Sequence, residues 1–228
     1  MSKYKHLFFD LDRTLWDFET NSLLTLEEIF EKHGLGIPSF SSFLKFYKKY
    51  NHQLWEEYKA GAIEKEYLSV ERFNGTLQHF SIQDFSKAKA MALDYVQISP
   101  QKTKLFPDAH MVLSYLSKRY QLHIITNGFN EVQFVKLKNS KLDSYFTHII
   151  TSEMLGIQKP NIEIFKFALK QADASVNESV MIGDDQLTDI AGARNVGMDQ
   201  VFVNFINETL IGGATYEINS LKELMDIF

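Results

Sequence analysis

The chain has 228 residues, 45% of them hydrophobic and 23% charged, with no cysteine and a formal net charge of −5. That length suits one substantial domain, or a core with a smaller insertion, and the composition is that of a folded protein rather than a disordered one. The lack of cysteine excludes disulfides, thiolate metal sites and a cysteine nucleophile, and the acidic balance argues against a general nucleic-acid binder, which needs a basic face.

The amino end runs into charged residues at once, with no secretory pattern and no transmembrane-length apolar run, so a soluble cytoplasmic protein is expected. Leu7-Phe8-Phe9 is a short apolar run of the kind that makes a buried strand, and Asp10 and Asp12 follow it at i and i+2. On an extended chain these two carboxylates point the same way and converge at the strand's carboxyl end, where open α/β sheets place ligands. Two acids there are costly unless something positive joins them, and Mg²⁺, with its preference for oxygen ligands, meets that need. A surface turn that happens to hold two Asp is the plain alternative.

After Trp16 the pattern turns helical. Thr20 or Asn21 can cap a helix carrying Leu23, Leu26, Ile29 and Phe30, stopped by Gly34. Phe43, Tyr47, Tyr50, Leu54 and Tyr58 recur at helical spacing up to Gly61, and two more helices are expected over 64–80 and 84–96. No strand pattern interrupts this all-helical stretch of roughly eighty residues, which is too long for a loop in a compact domain. It reads as an inserted helical cap over 17–96, leaving 1–16 and 97–228 as the core.

From Ser99-Pro100 onward strands and helices alternate. Strands are expected at Leu122–Thr126, Thr147–Thr151, Ser179–Gly183 and Gln200–Val203. Between and before them lie helices opened by Pro107-Asp108, running over Val132–Lys138, capped by Asn161, and running from Asp189 to Asn195. Such alternation implies an α/β fold with a doubly wound parallel sheet, which the first strand must join.

Several strand ends carry polar groups: Asp10, Asp12 and Thr14; then Thr126, Asn127 and Gly128; then Gly183, Asp184 and Asp185, with Asp189 one helical turn on. Lys159-Pro160 precedes a helix between the last two groups. Singly, each has an ordinary structural reading: Thr-Asn-Gly is a common turn, Gly-Asp-Asp a common loop, and a lysine before proline is usually solvated. Four such groups in this order are much harder to explain that way.

Together they resemble the four motifs of the haloacid dehalogenase-like hydrolases, and the resemblance covers essentially the whole chain, including a cap where the C1-capped subgroup places one. It implies a Rossmann-like core and a Mg²⁺-dependent phosphomonoesterase. In that scheme Asp10 is the nucleophile that forms an aspartyl-phosphate, and Asp12 is the general acid and base. The resemblance also implies Mg²⁺ on an Asp10 carboxylate oxygen, the Asp12 backbone carbonyl and Asp184. Thr126 and Asn127, beside Gly128, are expected to bind phosphate, and Lys159 to offset its charge. Thr14, Asp185 and Asp189 are expected in supporting positions, with Thr14 bracing the loop, and Arg13 is expected to face solvent. An acid at Asp12 favours phosphate-ester hydrolysis over dehalogenation, which needs no acid for its leaving group.

In the cap, Asn51, Leu54, Trp55, Tyr58, Gly61 and Ile63, followed by Arg72-Phe73, look like the cap of bacterial pyrimidine 5′-nucleotidases. The segment Ile124–Phe129 is similar to theirs as well. That closer likeness implies a pyrimidine nucleoside 5′-monophosphate as substrate, with Asn51, Trp55 and Arg72 as binding candidates and Phe73 as a stacking surface. Aromatic residues at helical spacing are more often packing, however. The alternative within the fold is a sugar-phosphate or broad-range phosphatase. From another class comes a phosphoacceptor signalling domain, though such domains are about half this length and need no cap of this size. The expected partner is a small phosphorylated metabolite rather than a nucleic-acid polymer or a membrane, and the protein is expected to be a monomer or homodimer.

Overall fold

The computed structural model describes residues 3–228. Strand β1 (His6–Phe9) is buried along its whole length, and its side chains alternate between two apolar cores, Leu7 and Phe9 in one and Phe8 in the other. A parallel sheet covered by helices on both faces demands strands of this kind. The other strands are β2 (Gln121–Thr126), β3 (Phe146–Thr151), β4 (Ser179–Gly183), β5 (Asp199–Val203) and β6 (Tyr216–Ile218). Among the described residues they form one six-stranded sheet in the order β3-β2-β1-β4-β5-β6, with every pairing parallel. Phe9 is in register with Ile124 on one side and Ile182 on the other, so β1, β2 and β4 present their carboxyl ends together. The strand order reverses at β1, and such a switch point is where open α/β sheets bind ligands.

The chain divides into two compact units, Met1–Glu19 with Thr103–Phe228, and Thr20–Lys102. The second holds α1 (Phe18–His33, begun in the first unit), α2 (Phe40–Lys59), α3 (Lys65–His79) and α4 (Phe85–Ile98). Among the described residues it contains no strand. Its core is the helical-period set Leu26, Ile29, Phe43, Tyr47, Phe73, Leu77 and Met91. Ser39 caps α2 through the Ser42 amide (3.1 Å) and Asp84 caps α4 through the Lys87 amide (2.8 Å). Helix α1 starts earlier than expected. Asp17 precedes its first residue, while Asn21 is buried within it and accepts at its carbonyl from the Thr25 hydroxyl (2.7 Å).

In the first unit, α5 (Ala109–Leu116) and α6 (Asn130–Asn139) cover one face of the sheet through Val112, Leu113, Leu116 and Leu137. Helix α7 (Ile162–Gln171) and α8 (Ala191–Asn195) cover the other through Ile164, Phe165, Ala168 and Ala193. The helix expected to start at Asp189 opens earlier, with a π-helical turn over Gln186–Ile190 that runs into α8. Asp185 starts it by accepting from the Leu187 and Thr188 amides, each at 2.9 Å. Beyond Val203 the chain adds β6 and a final helix, α9 (Leu224–Ile227), whose Leu224 joins the first core.

Candidate active site

The sheet's switch point collects the polar groups that follow β1, β2 and β4. Just past β1 the chain turns, with Asp10 and Asp12 near enough for the Asp12 charge to raise the Asp10 pKa. The strand ends at Phe9, Arg13 takes φ 67°, and the Leu15 and Trp16 amides both turn back to the Leu11 carbonyl (3.0 and 2.9 Å). The two carboxylates nonetheless take different partners.

Asp10 continues the ladder through its amide, which donates to the Ile182 carbonyl (2.9 Å), and its Oδ1 accepts from Lys159 Nζ (2.5 Å). Lys159 is only 2% exposed, and its ammonium also meets Asp189 Oδ1 (2.7 Å) and the Ile125 carbonyl (2.8 Å). Lys159 Nζ thus donates hydrogen bonds to Asp10 and the Ile125 carbonyl and pairs in charge with Asp189. Burial works against this ammonium, yet Asp10 and Asp189 outweigh it and raise its pKa. The backbone of Lys159 is gripped as well. Its amide donates to Asn127 Oδ1 (2.8 Å), and Asn127 Nδ2 donates to its carbonyl (3.0 Å). Asn127 thus spends most of its amide on placing the lysine.

Oxygen atoms of Asp10, Asp184 and Asp189 all lie within 4.8 Å of one another. Burial pushes Asp10 up to about 7 against the pull of Lys159, with Asp189 and Asp12 adding to the rise. Asp184 is pushed well above the ordinary carboxylate range by burial, then by Asp10 and Asp189, against a hydrogen bond from the Thr14 hydroxyl (2.8 Å). Asp189 is raised by burial too, with Lys159 pulling the other way. Asp10 and Asp189 share the Lys159 ammonium, with the half-buried Asp184 beside them, and this oxygen-only donor set fits a hard divalent cation. Gly183 is what lets Asp189 in: a Cβ there would meet Asp189 Oδ2 at 2.3 Å. Asp185, occupied in capping the next helix, is not part of the cluster.

Asp12 has partners of its own. Its Oδ1 accepts from Lys136 Nζ (2.6 Å) and its Oδ2 from Gln133 Nε2 (2.8 Å). The same Gln133 nitrogen donates to Thr126 Oγ1 (2.8 Å), which also accepts from the Gly128 amide (3.1 Å). With both lone pairs so used, the Thr126 hydroxyl has its own hydrogen left to donate. Gly128 owes its place to Gln133, whose Nε2 would stand 1.8 Å from an added Cβ. Arg13 is exposed and paired with Glu19 (3.0 Å).

Gln133 and Lys136 are the residues that sequence reasoning missed. Both fall inside a helix that was expected, but a lysine is seldom buried, and nothing in the pattern marks this one as 3% exposed.

The cap candidates fare differently. Arg72 is 4% exposed within the cap unit, its guanidinium 4.2 Å from the Tyr95 ring centroid and its Nε donating to the Ser69 carbonyl (3.2 Å). Phe73 is fully buried in that unit's core. Both are therefore built into the cap's interior. Trp55 is half-buried, edge-on to Tyr58 at 5.7 Å, and Asn51 carries a buried Oδ1 with no hydrogen-bond partner. No helix among the described residues is long and apolar enough to cross a membrane.

The pyrimidine 5′-nucleotidase PynA of Streptococcus pneumoniae is 30% identical over 227 residues, which is 98% of this chain and 94% of that protein. A glyceraldehyde 3-phosphate phosphatase of Pyrococcus furiosus is 28% identical over 241 residues, 100% of this chain and 94% of that protein. Among solved structures, the magnesium-bound HAD-hydrolase YfnB of Bacillus subtilis matches with a TM-score of 0.90 at 29% identity, covering 99% of each chain. The family model described as haloacid dehalogenase-like hydrolase matches residues 7–203, a span that runs from β1 to the end of β5 and takes in every residue of the site described above. On that match, and on a core of the same architecture, this chain belongs to the haloacid dehalogenase-like hydrolases.

Proposed function

We propose that this protein is a Mg²⁺-dependent phosphomonoesterase that works through an aspartyl-phosphate on Asp10 and takes pyrimidine nucleoside 5′-monophosphates as substrates. The observation that carries the reading is the buried Asp10–Lys159 pair inside a cluster of carboxylates, with the Thr126 hydroxyl hydrogen unspent nearby. A carboxylate oriented by an ammonium is a nucleophile for phosphorus. The ammonium and the hydroxyl then bind phosphoryl oxygens as charge shifts in transfer.

In the first step an Asp10 oxygen bonds to phosphorus, the ester P–O bond breaks, and the Asp12 proton goes to the departing alkoxide. In the second, a water oxygen bonds to phosphorus, its proton goes to Asp12, and Asp10 leaves with inorganic phosphate formed. Asp10, Asp184 and Asp189, with the Asp12 backbone carbonyl, would hold a Mg²⁺ that neutralises charge on the phosphate. Asn127 serves here by holding Lys159, and Thr14 by holding Asp184.

Two supports favour the nucleotide. One is the relative named for it; the other is the unpartnered Asn51 oxygen and half-buried Trp55 on α2, to which we assign base recognition in place of the interior Arg72 and Phe73. The second reading, a sugar-phosphate phosphatase, is favoured by the full-length relative that acts on glyceraldehyde 3-phosphate. The test is kcat/KM with Mg²⁺ for UMP, dTMP, AMP, glyceraldehyde 3-phosphate and 4-nitrophenyl phosphate, in wild type, Asn51→Ala and Trp55→Ala. The nucleotidase reading expects UMP and dTMP to lead, and the variants to lose that lead while retaining 4-nitrophenyl phosphate hydrolysis. A wild type that prefers the triose phosphate, or treats AMP and UMP alike, transfers the assignment to the second reading.

A further inference from the structure

We propose that Gln133 and Lys136 are the positioning residues of Asp12, and that they tie this acid to the phosphate-side hydroxyl of Thr126 as one unit. The inference rests on Asp12 being the proton-transfer group of the proposed phosphatase.

The two residues are three apart on α6, so they project from the same face of the helix that follows the Thr126-Asn127-Gly128 turn. Lys136 takes Oδ1 of Asp12 and Gln133 takes Oδ2, so the half-buried carboxylate cannot rotate without losing a charge-assisted bond to the buried lysine. The lysine is itself held from below, its ammonium 3.9 Å from the Trp16 ring centroid. Gln133 uses its amide nitrogen twice, for Asp12 and for Thr126, while its Oε1 is buried with no partner. A flipped amide would set that oxygen against the Asp12 carboxylate, so the donor end must face the acid. An unpartnered buried carbonyl is costly, and here it accompanies the placing of two donors on two site residues. Glycine at 128 completes the arrangement, since only the absence of a Cβ admits Gln133 this close.

The arrangement suits a group that must serve twice. A carboxylate oxygen has two lone-pair directions, and one bond to each oxygen leaves one direction per oxygen open. Asp12 can therefore give its proton to the leaving oxygen and later take one from water without giving up its orientation. A purely structural role would need the charge of Asp12 neutralised, but it would not need the second link to Thr126.

The experiment measures kcat/KM for UMP and for 4-nitrophenyl phosphate in Lys136→Met, Gln133→Met and the milder Gln133→Asn. Each is made in the wild-type and the Asp12→Asn backgrounds, with melting curves as the folding control. Because kcat/KM covers only the steps through departure of the leaving group, it isolates the acid role. Misplacing Asp12 should cost ~10–100-fold on UMP, whose leaving alkoxide needs the proton, and only a few-fold on 4-nitrophenyl phosphate. In the Asp12→Asn background the same substitutions should cost almost nothing more, since they act through Asp12. Equal losses on both esters, or losses that multiply with Asp12→Asn, overturn the proposal and leave a structural role. If Lys136→Met does not fold, Gln133→Asn carries the same comparison. Failure of the underlying phosphatase reading looks different: wild type then releases no phosphate from either ester, or Asp12→Asn itself shows no dependence on the leaving group.

Discussion

Replacing Lys159 by methionine keeps the volume and removes the ammonium that pairs with Asp10 and Asp189. The two carboxylates are 7% and 1% exposed, so water cannot take the lysine's place without rearrangement. Breaking a buried ion pair from one side typically costs ~3–5 kcal/mol. At about 2–4 °C per kcal/mol for a chain of this size, the melting temperature should fall by roughly 6–20 °C. The loss should also depend on pH. Burial already holds Asp10 near 7 with the lysine present, and removing the lysine raises that value further. A carboxylate with a raised folded pKa contributes stability that is present below its unfolded value and lost as pH rises through the folded one. The deficit of the variant should therefore be greatest near pH 8 and shrink toward pH 5, where Asp10 and Asp189 take protons instead. The assay is thermal denaturation by circular dichroism at pH 5, 6, 7 and 8, with and without Mg²⁺, which should restore part of the loss at the higher pH values. A shift below ~1 °C that stays flat across this range would refute the claim that Lys159 is the counter-charge of the site.

Asp10→Asn should abolish phosphate release, because an amide cannot attack phosphorus, and should destabilise less than loss of Lys159, because the ammonium keeps Asp189 and an unfavourably buried charge is removed; turnover near the wild-type rate would remove Asp10 from the nucleophile's role. On the Phe8 side of the sheet, burial, then His6 and His148, lower the His123 imidazole to about 3, so its stabilising contribution is present above pH ~6.5 and lost as pH falls toward 3. His123→Gln, which can still hydrogen-bond His6, should flatten the loss of stability between pH 6.5 and 4; an unchanged slope in urea titrations would show that the imidazole does not set it.

By itself, the sequence determined the α/β class, the helical stretch after the first strand and the residues at the strand ends. Each rests on local information: apolar runs such as Leu7–Phe9 and Leu122–Thr126, helical spacing in Phe43–Leu54, and polar groups placed directly after strands. What it could not determine was which of those groups meet. Asp10 and Asp12 are two residues apart, and local geometry alone set them side by side. Tertiary packing gives one to Lys159 and the other to Lys136, 149 and 124 residues away along the chain. The sixth strand, the roles of Gly128 and Gly183 in admitting Gln133 and Asp189, and the burial of Arg72 in the cap were settled in the same way. Each depends on how the folded backbone packs groups against one another, and a buried lysine or a missing Cβ carries no periodic signal. Local propensity chose the elements and packing chose the partners, and the chemistry of this site lies in the partners.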